Sequence, residues 1–151
     1  MTLDTIAKVS VAVDYATSLQ DRIAAGRYDW VDDDITPKRF PIAGTGVVQF
    51  ETKVFHFDRG ISSKSAVEAI RADGWEPAQI EHLLSYGATY PDEQRQYPII
   101  ALGSVAEVYG DRNVPYLDRG GAERDLGLMW WVSDWDDDGR FLAVRKLSSA
   151  A

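Results

Sequence analysis

The segment LMWWVSDWDDDGRFLAVRK, residues 128–146, decides how the chain is read. Trp130, Trp131 and Trp135 fall within six positions, Asp134, Asp136, Asp137 and Asp138 within five, and the run closes on Arg145 and Lys146. Side chains alternate in extended backbone, so Trp131, Ser133 and Trp135 share one face while Trp130, Val132 and Asp134 take the other. The flanking runs DLGLMWWV and GRFLAVRK are β-prone, and the segment predicts a hairpin joined by an acidic turn within SDWDDDG. Two readings of that hairpin stay open. In one, the indoles close a core and the aspartates form a solvated bend. In the other, Trp131 or Trp135 lies exposed beside Asp134 and Asp136, an aromatic platform with acceptors that suits sugars, cationic groups or a protein partner.

The aspartate run lacks the D-x-D-x-D-G spacing and terminal Glu of an EF-hand, and successive carboxylates cannot all face one ion, so no metal is expected there. VDDD at 31–34 has the same weakness and reads as a cap on the turn before Pro37.

Upstream, RGGAERD at 119–125 reads as a long charged loop whose Arg119 and Arg124 form a second candidate binding surface. YPIIALGSV is a short continuous apolar run suited to a central strand, and Gly110-Asp111 stands between two β-prone runs as in a hairpin. PAQIEHLLSYG predicts a helix from Pro77 to Gly87 with Ile80, Leu83 and Leu84 on the apolar side and His82 on the wetter one. ISSKSAVEAIRADG predicts another, capped by Ser62 or Ser63 and stopped at Gly74. In VVQFETKVFHF, residues 47–57, Val48, Phe50 and Val54 alternate with polar neighbours, the period of a half-buried strand. TIAKVSVAVD predicts a strand and SLQDRIAA a short helix with Ser18 as cap and Gly26 as stop. Residues 27–46 read as an ordered loop pinned by Tyr28, Trp30 and Phe40. Strand, helix, loop, strand, two helices and then four or so strands is an α+β order rather than a repeating βαβ one.

At 151 residues the chain is expected to form a single domain with a core that needs neither disulfide nor metal. The absence of Cys removes thiol chemistry and fits a reducing compartment. The N-terminus lacks the layout of a secretory signal and no apolar run reaches membrane-spanning length, so a bacterial or phage-infected cytoplasm is the expected location. A formal charge of −8 opposes nucleic acid and anionic lipid but speeds encounter with a basic protein. His56 and His82 are the sole imidazoles, His56 reading as a satisfied edge or core side chain, and neither GTG at 44–46 nor RGG at 119–121 forms a phosphate loop. No catalytic residue, cofactor or metal is assigned.

Ala66 and Ala69 on one helix, Gly74, Pro77 and Leu83 leading into the next, then Trp131, Ser133 and the closing RFLAVRK follow a recognisable order. On these residues, positions 61–146 resemble C-type-lectin-like domains of the bacterial and phage kind, the group that includes relatives of the formylglycine-generating enzyme and variable proteins of diversity-generating retroelements. Glu76 and Ala78 depart from the family's Leu and Thr around the proline, and no Cys precedes the final Val-Arg. The resemblance implies a mixed or antiparallel sheet with two central helices and C-terminal β-hairpins, residues 1–60 forming an extension of strand, helix and loop. It also implies a ligand surface near the C-terminus and, without cysteines, no formylglycine-generating chemistry. The expected function is a non-catalytic module that binds a protein or other macromolecule through Arg119, Arg124, Trp131, Ser133, Asp134, Trp135 and Asp136. The alternative is a small acidic inhibitor of the phage counter-defence type, occupying the basic channel of a nucleic-acid-binding protein. A metal-dependent hydrolase built on the Asp clusters is the third reading.

Overall fold

The computed structural model describes residues 4–131 and 134–147. Its elements run β1 (Asp4–Asp14), α1 (Leu19–Gly26), β2 (Trp30–Val31), β3 (Val47–His56), β4 (Ile61–Ser62), α2 (Ser63–Ala72), β5 (Glu76–Pro77) and α3 (Ile80–Thr89). A 3-10 turn at Glu93–Arg95 follows, then β6 (Ile99–Ile100), β7 (Ala106–Val108), β8 (Asp111–Gly120), β9 (Glu123–Trp130), β10 (Asp134–Trp135) and β11 (Arg140–Lys146). The architecture is α+β. One mixed sheet has the order β1-β3-β11-β6-β8-β9-β2, with β5 attached to β11 and β7 to β8, while β4 and β10 form a separate ribbon.

Alternation along β3 sends Phe50 and Val54 to one face and Phe55 to the other. The first face packs with Val11, Val13, Leu142 and Val144 against Leu19 of α1 and Ile80, Leu83 and Leu84 of α3. The second joins Phe141, Ala143 and Ile100 to Ala66 and Ile70 of α2, with Trp75 and Trp135. Both faces of the central strands are therefore core. That is why Phe141, Leu142, Ala143 and Val144 are four consecutive buried residues, the pattern of a strand covered on both sides.

The expected hairpin between DLGLMWWV and GRFLAVRK does not form. β9 pairs with β8 and β2, whereas β11 lies between β3 and β6, parallel to β6. A one-sided hairpin would leave half of Phe141–Val144 in water, and insertion between β3 and β6 buries both halves. Hairpins do join β7 to β8 and β8 to β9. The first turns at Tyr109-Gly110, one residue before the expected position, with positive φ at both residues as the tight turn between twisted strands demands.

Ser18 and Ser62 cap α1 and α2 as expected, accepting from the N–H groups of Asp21 and Ser65. α3 begins later than its proline suggested: Pro77 lies in β5 opposite Ala143, and the Ala78 N–H donates to Leu142 O. Nor does Gly87 stop α3, which continues to Thr89. A Cβ at Gly87 would stand 2.3 Å from the Tyr28 hydroxyl oxygen and 2.9 Å from Leu117 Cδ1, so the glycine is there for close packing. Among the described residues no helix is long and apolar enough to cross a membrane.

Candidate functional site

The residues expected to form a recognition surface are distributed over two ends of β9. Arg119 and Arg124 sit opposite each other beside the β8–β9 turn, and Trp131 lies seven residues of extended chain away, about 23 Å. RGGAERD is this tight turn and its flanking strands, so it is not a long loop. Arg119 donates to Arg95 O at 2.8 Å. Arg124 is 5% exposed. Its guanidinium donates to Gly26 O, Gly87 O, Pro91 O and Gln94 Oε1 and lies 4.9 Å from the centre of the Tyr28 ring, which fastens α1, α3 and the 3-10 turn to the sheet. With four of its five N–H donors committed to these acceptors and the side chain buried, Arg124 is structural.

At the other end, Trp135 is 8% exposed and belongs to the core. Its indole N–H donates to Ser63 Oγ at 2.8 Å and its ring meets Phe141 edge to face, which satisfies its one polar atom and removes it as an exposed platform. Trp131 is half-buried under the Arg112 guanidinium, 5.6 Å above the ring. Asp134 pairs in register with Ser62 and is exposed, as is Asp136. Ser133 lies outside the described residues. Asp137 O meets His56 Nε2 at 2.5 Å, so the acidic bend is tied to the end of β3. Among the described residues no group of three or more His, Asp or Glu side chains has the arrangement to hold a metal ion.

A different grouping emerges where the second core face reaches the sheet edge. One row crosses Phe141, Ile100, Tyr116 and Gly127 on successive strands, and the next row brings together Asp118, Asp125 and Trp30. Trp30, expected to pin a loop, is 52% exposed. A Cβ at Gly127 would touch Tyr116 at 3.0 Å and Trp30 at 3.6 Å, so the two rings flank a bare stretch of backbone. Burial holds the Tyr116 phenol above its usual range, with Asp118, Asp125 and Asp32 adding to the shift. Asp125 is raised by desolvation and then by Asp118 and Asp29. Its Oδ1 is a buried atom without a hydrogen-bond partner. Among the described residues no Lys or Arg nitrogen comes within 4.0 Å of Asp118 or Asp125. Like charges directly opposite in a ladder repel, and a cation placed between them would reverse the sign of that interaction. Trp30, Tyr116, Asp118 and Asp125 were not singled out from the sequence as a site. The signal available was the symmetry of D-R-G-G-A-E-R-D, which aligns Asp with Asp and Arg with Arg once a two-residue turn is assumed.

α3 carries a second surprise. His82, expected on the wetter side, is 5% exposed, and the adjacent Glu81 is also buried. Tyr15 donates to Glu81 Oε2 at 3.3 Å. Burial raises Glu81 above the usual carboxylate range, opposed by the Tyr15 hydrogen bond and the charge of Arg22. Arg22 itself is buried, donating to Asp14 O.

No protein-family model matches the chain, and neither a curated protein nor a solved structure matches it.

Proposed function

We propose that the chain is a non-catalytic binding module that recognises a basic segment of a partner protein through the face formed by Trp30, Tyr116, Asp118 and Asp125. One observation carries this reading: an exposed indole stands in register beside two carboxylates that face each other with no Lys or Arg nitrogen within 4.0 Å among the described residues. A lysine or arginine entering there would gain a cation–π contact of about 0.5–1 kcal/mol, more when desolvated, and relieve the Asp–Asp repulsion. The charge of −8 would raise the encounter rate with such a partner. The C-type-lectin-like resemblance of residues 61–146 suits the reading, since it implies a ligand surface near the C-terminus and most of the proposed face is built by β8 and β9. The sequence expectation spanned both ends of β9; the proposed surface keeps the end that carries Arg119 and Arg124 and leaves the tryptophan tail, in a protein expected to work in the cytoplasm.

The acidic-inhibitor reading uses the same face, because Asp29 and Asp32 flank it and would suit a basic channel that normally holds nucleic acid. Calorimetric titration with an arginine-rich peptide and a serine-substituted control tests the proposal. The basic peptide should bind more tightly by about tenfold or more, weaken as salt rises, and lose that advantage in Trp30→Ala and in Asp118→Asn/Asp125→Asn. Equal binding by these variants would sink the proposal. Competition by DNA or RNA for a captured partner separates the inhibitor from the general module.

A further inference from the structure

β1 and β2 are the two edges of the sheet, and β1 is the long one, 11 residues against 2. The Tyr15 N–H donates to Gly46 O at 2.9 Å, in register with the pairs Val13–Val48 and Val11–Phe50. Along Ser10 to Tyr15 the odd-numbered residues therefore aim their backbone groups at β3, and the even-numbered ones aim theirs outward. Some of the outward groups are engaged: Ser10 O accepts from the Tyr90 hydroxyl at 3.2 Å, and Asp14 O accepts from the Thr17 N–H and the Arg22 guanidinium. Between them the N–H and C=O of Ala12 have no partner among the described residues. Edge strands are commonly bulged where they could accept another chain, but the bulge of β1 lies between Ile6 and Val9 and the stretch around Ala12 is regular.

A cleft of about 240 Å³ runs beside this open rung. Val11 and Val13 face Leu19 and Leu84 in the helical layer, so Ala12 and Asp14 turn their side chains to the other face of the sheet and meet the cleft with their backbone edge. The facing wall comes from α1 and α3, which place the small side chains of Ala25, Ser85 and Ala88 around Leu84. Ala25 and Ala88 are exposed, so an incoming side chain reaches them without displacing the core. Asp14 and Asp21, also on the lining, are exposed, and among the described residues no Lys or Arg nitrogen lies within 4.0 Å of either carboxylate. An open backbone edge beside an apolar wall lets an extended peptide join a sheet, main-chain bonds supplying affinity and alternate side chains supplying specificity.

We propose that β1 accepts an extended segment of a partner protein as an added antiparallel strand, with the sequence pattern basic, apolar, any residue, apolar. The third residue of the pattern exchanges both main-chain hydrogen bonds with Ala12. Its apolar neighbours point into the cleft toward Ala25, Leu84 and Ala88, whose volume is below that of small-molecule sites and suits short side chains. The basic residue, two positions before the one facing Ala12, falls opposite Asp14, where opposite charges attract across a ladder. A chain of charge −8 favours a basic partner there over a second copy of itself. The site lies on the opposite edge of the sheet from β2 and does not rest on the reading of the Trp30 face.

The test titrates the full chain with the end-capped peptide Ser-Arg-Val-Thr-Val-Ser, in which Thr faces Ala12, and reads the ¹H–¹⁵N signals of the Ser10 and Ala12 amides. These report on this edge alone, so the outcome is separate from that at the Trp30 face. Both signals should shift, and the Ala12 N–H should exchange more slowly with solvent. Methylating the Thr nitrogen, whose proton goes to Ala12 O, should weaken binding about tenfold or more, while methylating the nitrogen of the second Val, which points away from the sheet, should change it less than about twofold. Glu in place of Arg should weaken binding about threefold or more. Ala12→Pro removes the outward N–H at an edge position that tolerates proline, and Ala88→Phe fills the cleft; each should erase the Ser10 response. The methylated pair leaves the protein unaltered, so it decides the matter should a variant fail to fold. Equal weakening by the two methylations, unmoved Ser10 and Ala12 amides, or a dimer in sedimentation that Ala12→Pro dissociates overturns the proposal.

Discussion

Asp118 and Asp125 are cross-strand partners in the β8–β9 ladder, and the residues next to them, Arg119 and Arg124, are partners as well. The two like-charged pairs have different fates. Arg124 is buried under its acceptors and Arg119 is held by Arg95 O, whereas the carboxylate pair is unrelieved. Asp125→Asn should therefore stabilise the free protein by about 0.5 kcal/mol at neutral pH. The sign follows from the raised folded pKa of Asp125: above it the ionised native state carries the penalty, and protonation of the native state removes it as pH falls. Urea unfolding of the variant should give a higher midpoint at pH 7 and no gain in strongly acidic solution; an unchanged midpoint at pH 7 would mean solvent already screens the pair.

Arg124→Ala should cost about 3–5 kcal/mol, because it strands carbonyls of Gly26, Gly87 and Pro91 and leaves a void against Tyr28. Arg124→Lys should recover little, since one ammonium cannot span acceptors set around a planar fork. Arg119→Ala, which loses one exposed hydrogen bond, should cost under about 1 kcal/mol. Denaturant midpoints of the three variants check the ranking, and comparable losses for Arg119→Ala and Arg124→Ala would contradict it.

Tryptophan substitutions should divide by burial, not by proximity to the aspartates. Trp135→Ala removes a core side chain together with the bond to Ser63 and should cost about 3–5 kcal/mol. Trp135→Phe retains the contact with Phe141 but strands Ser63 Oγ, a loss of about 2 kcal/mol. Trp30→Ala should cost under about 1 kcal/mol while weakening capture of basic peptides. Thermal melts paired with peptide titration separate the effects; a fall in melting temperature for Trp30→Ala as large as for Trp135→Ala would make Trp30 structural.

Elements governed by local chemistry were legible in the sequence. Alternation marks β3, and serine caps start α1 and α2 where the chain says they should. What could not be read was set by distant partners. The run Phe141–Val144 announces a doubly covered strand, but its neighbours β3 and β6 lie more than eighty and some forty residues upstream, so the adjacent β9 was the natural and incorrect choice. Arg124 looked solvated because the carbonyls that hold it come from the end of α1, the last turns of α3 and the segment after it, far away in the chain. Glu81 and His82 looked wet because α3 is buried on more sides than a single apolar stripe implies, under Tyr15, Arg22 and Phe50. The Trp30 site had no sequence motif because it exists only where β2, β9 and β8 come into register.

The buried imidazole gives stability a pH dependence that can be assigned to one residue. The unfolded chain protonates His82 near pH 6.5, while the folded chain resists until about pH 4. Between those values the unfolded state binds more protons, so the stability present above pH 6.5 is lost as pH falls, by up to about 3 kcal/mol. Glu81 acts in the opposite sense, because its raised folded pKa lets the native state take up a proton first and gain stability on acidification. The two partly cancel in the wild-type curve. The Gln79 N–H donates to His82 Nδ1 at 2.9 Å, and subtracting the curve of His82→Asn, which keeps Glu81, Tyr15 and Arg22 and an acceptor near that N–H, isolates the imidazole. The difference in unfolding free energy should be level above pH 7 and decline steadily from there to pH 4. A flat difference across that interval would mean that the folded ring takes up its proton as readily as the unfolded one, and the depression by burial would fail with it.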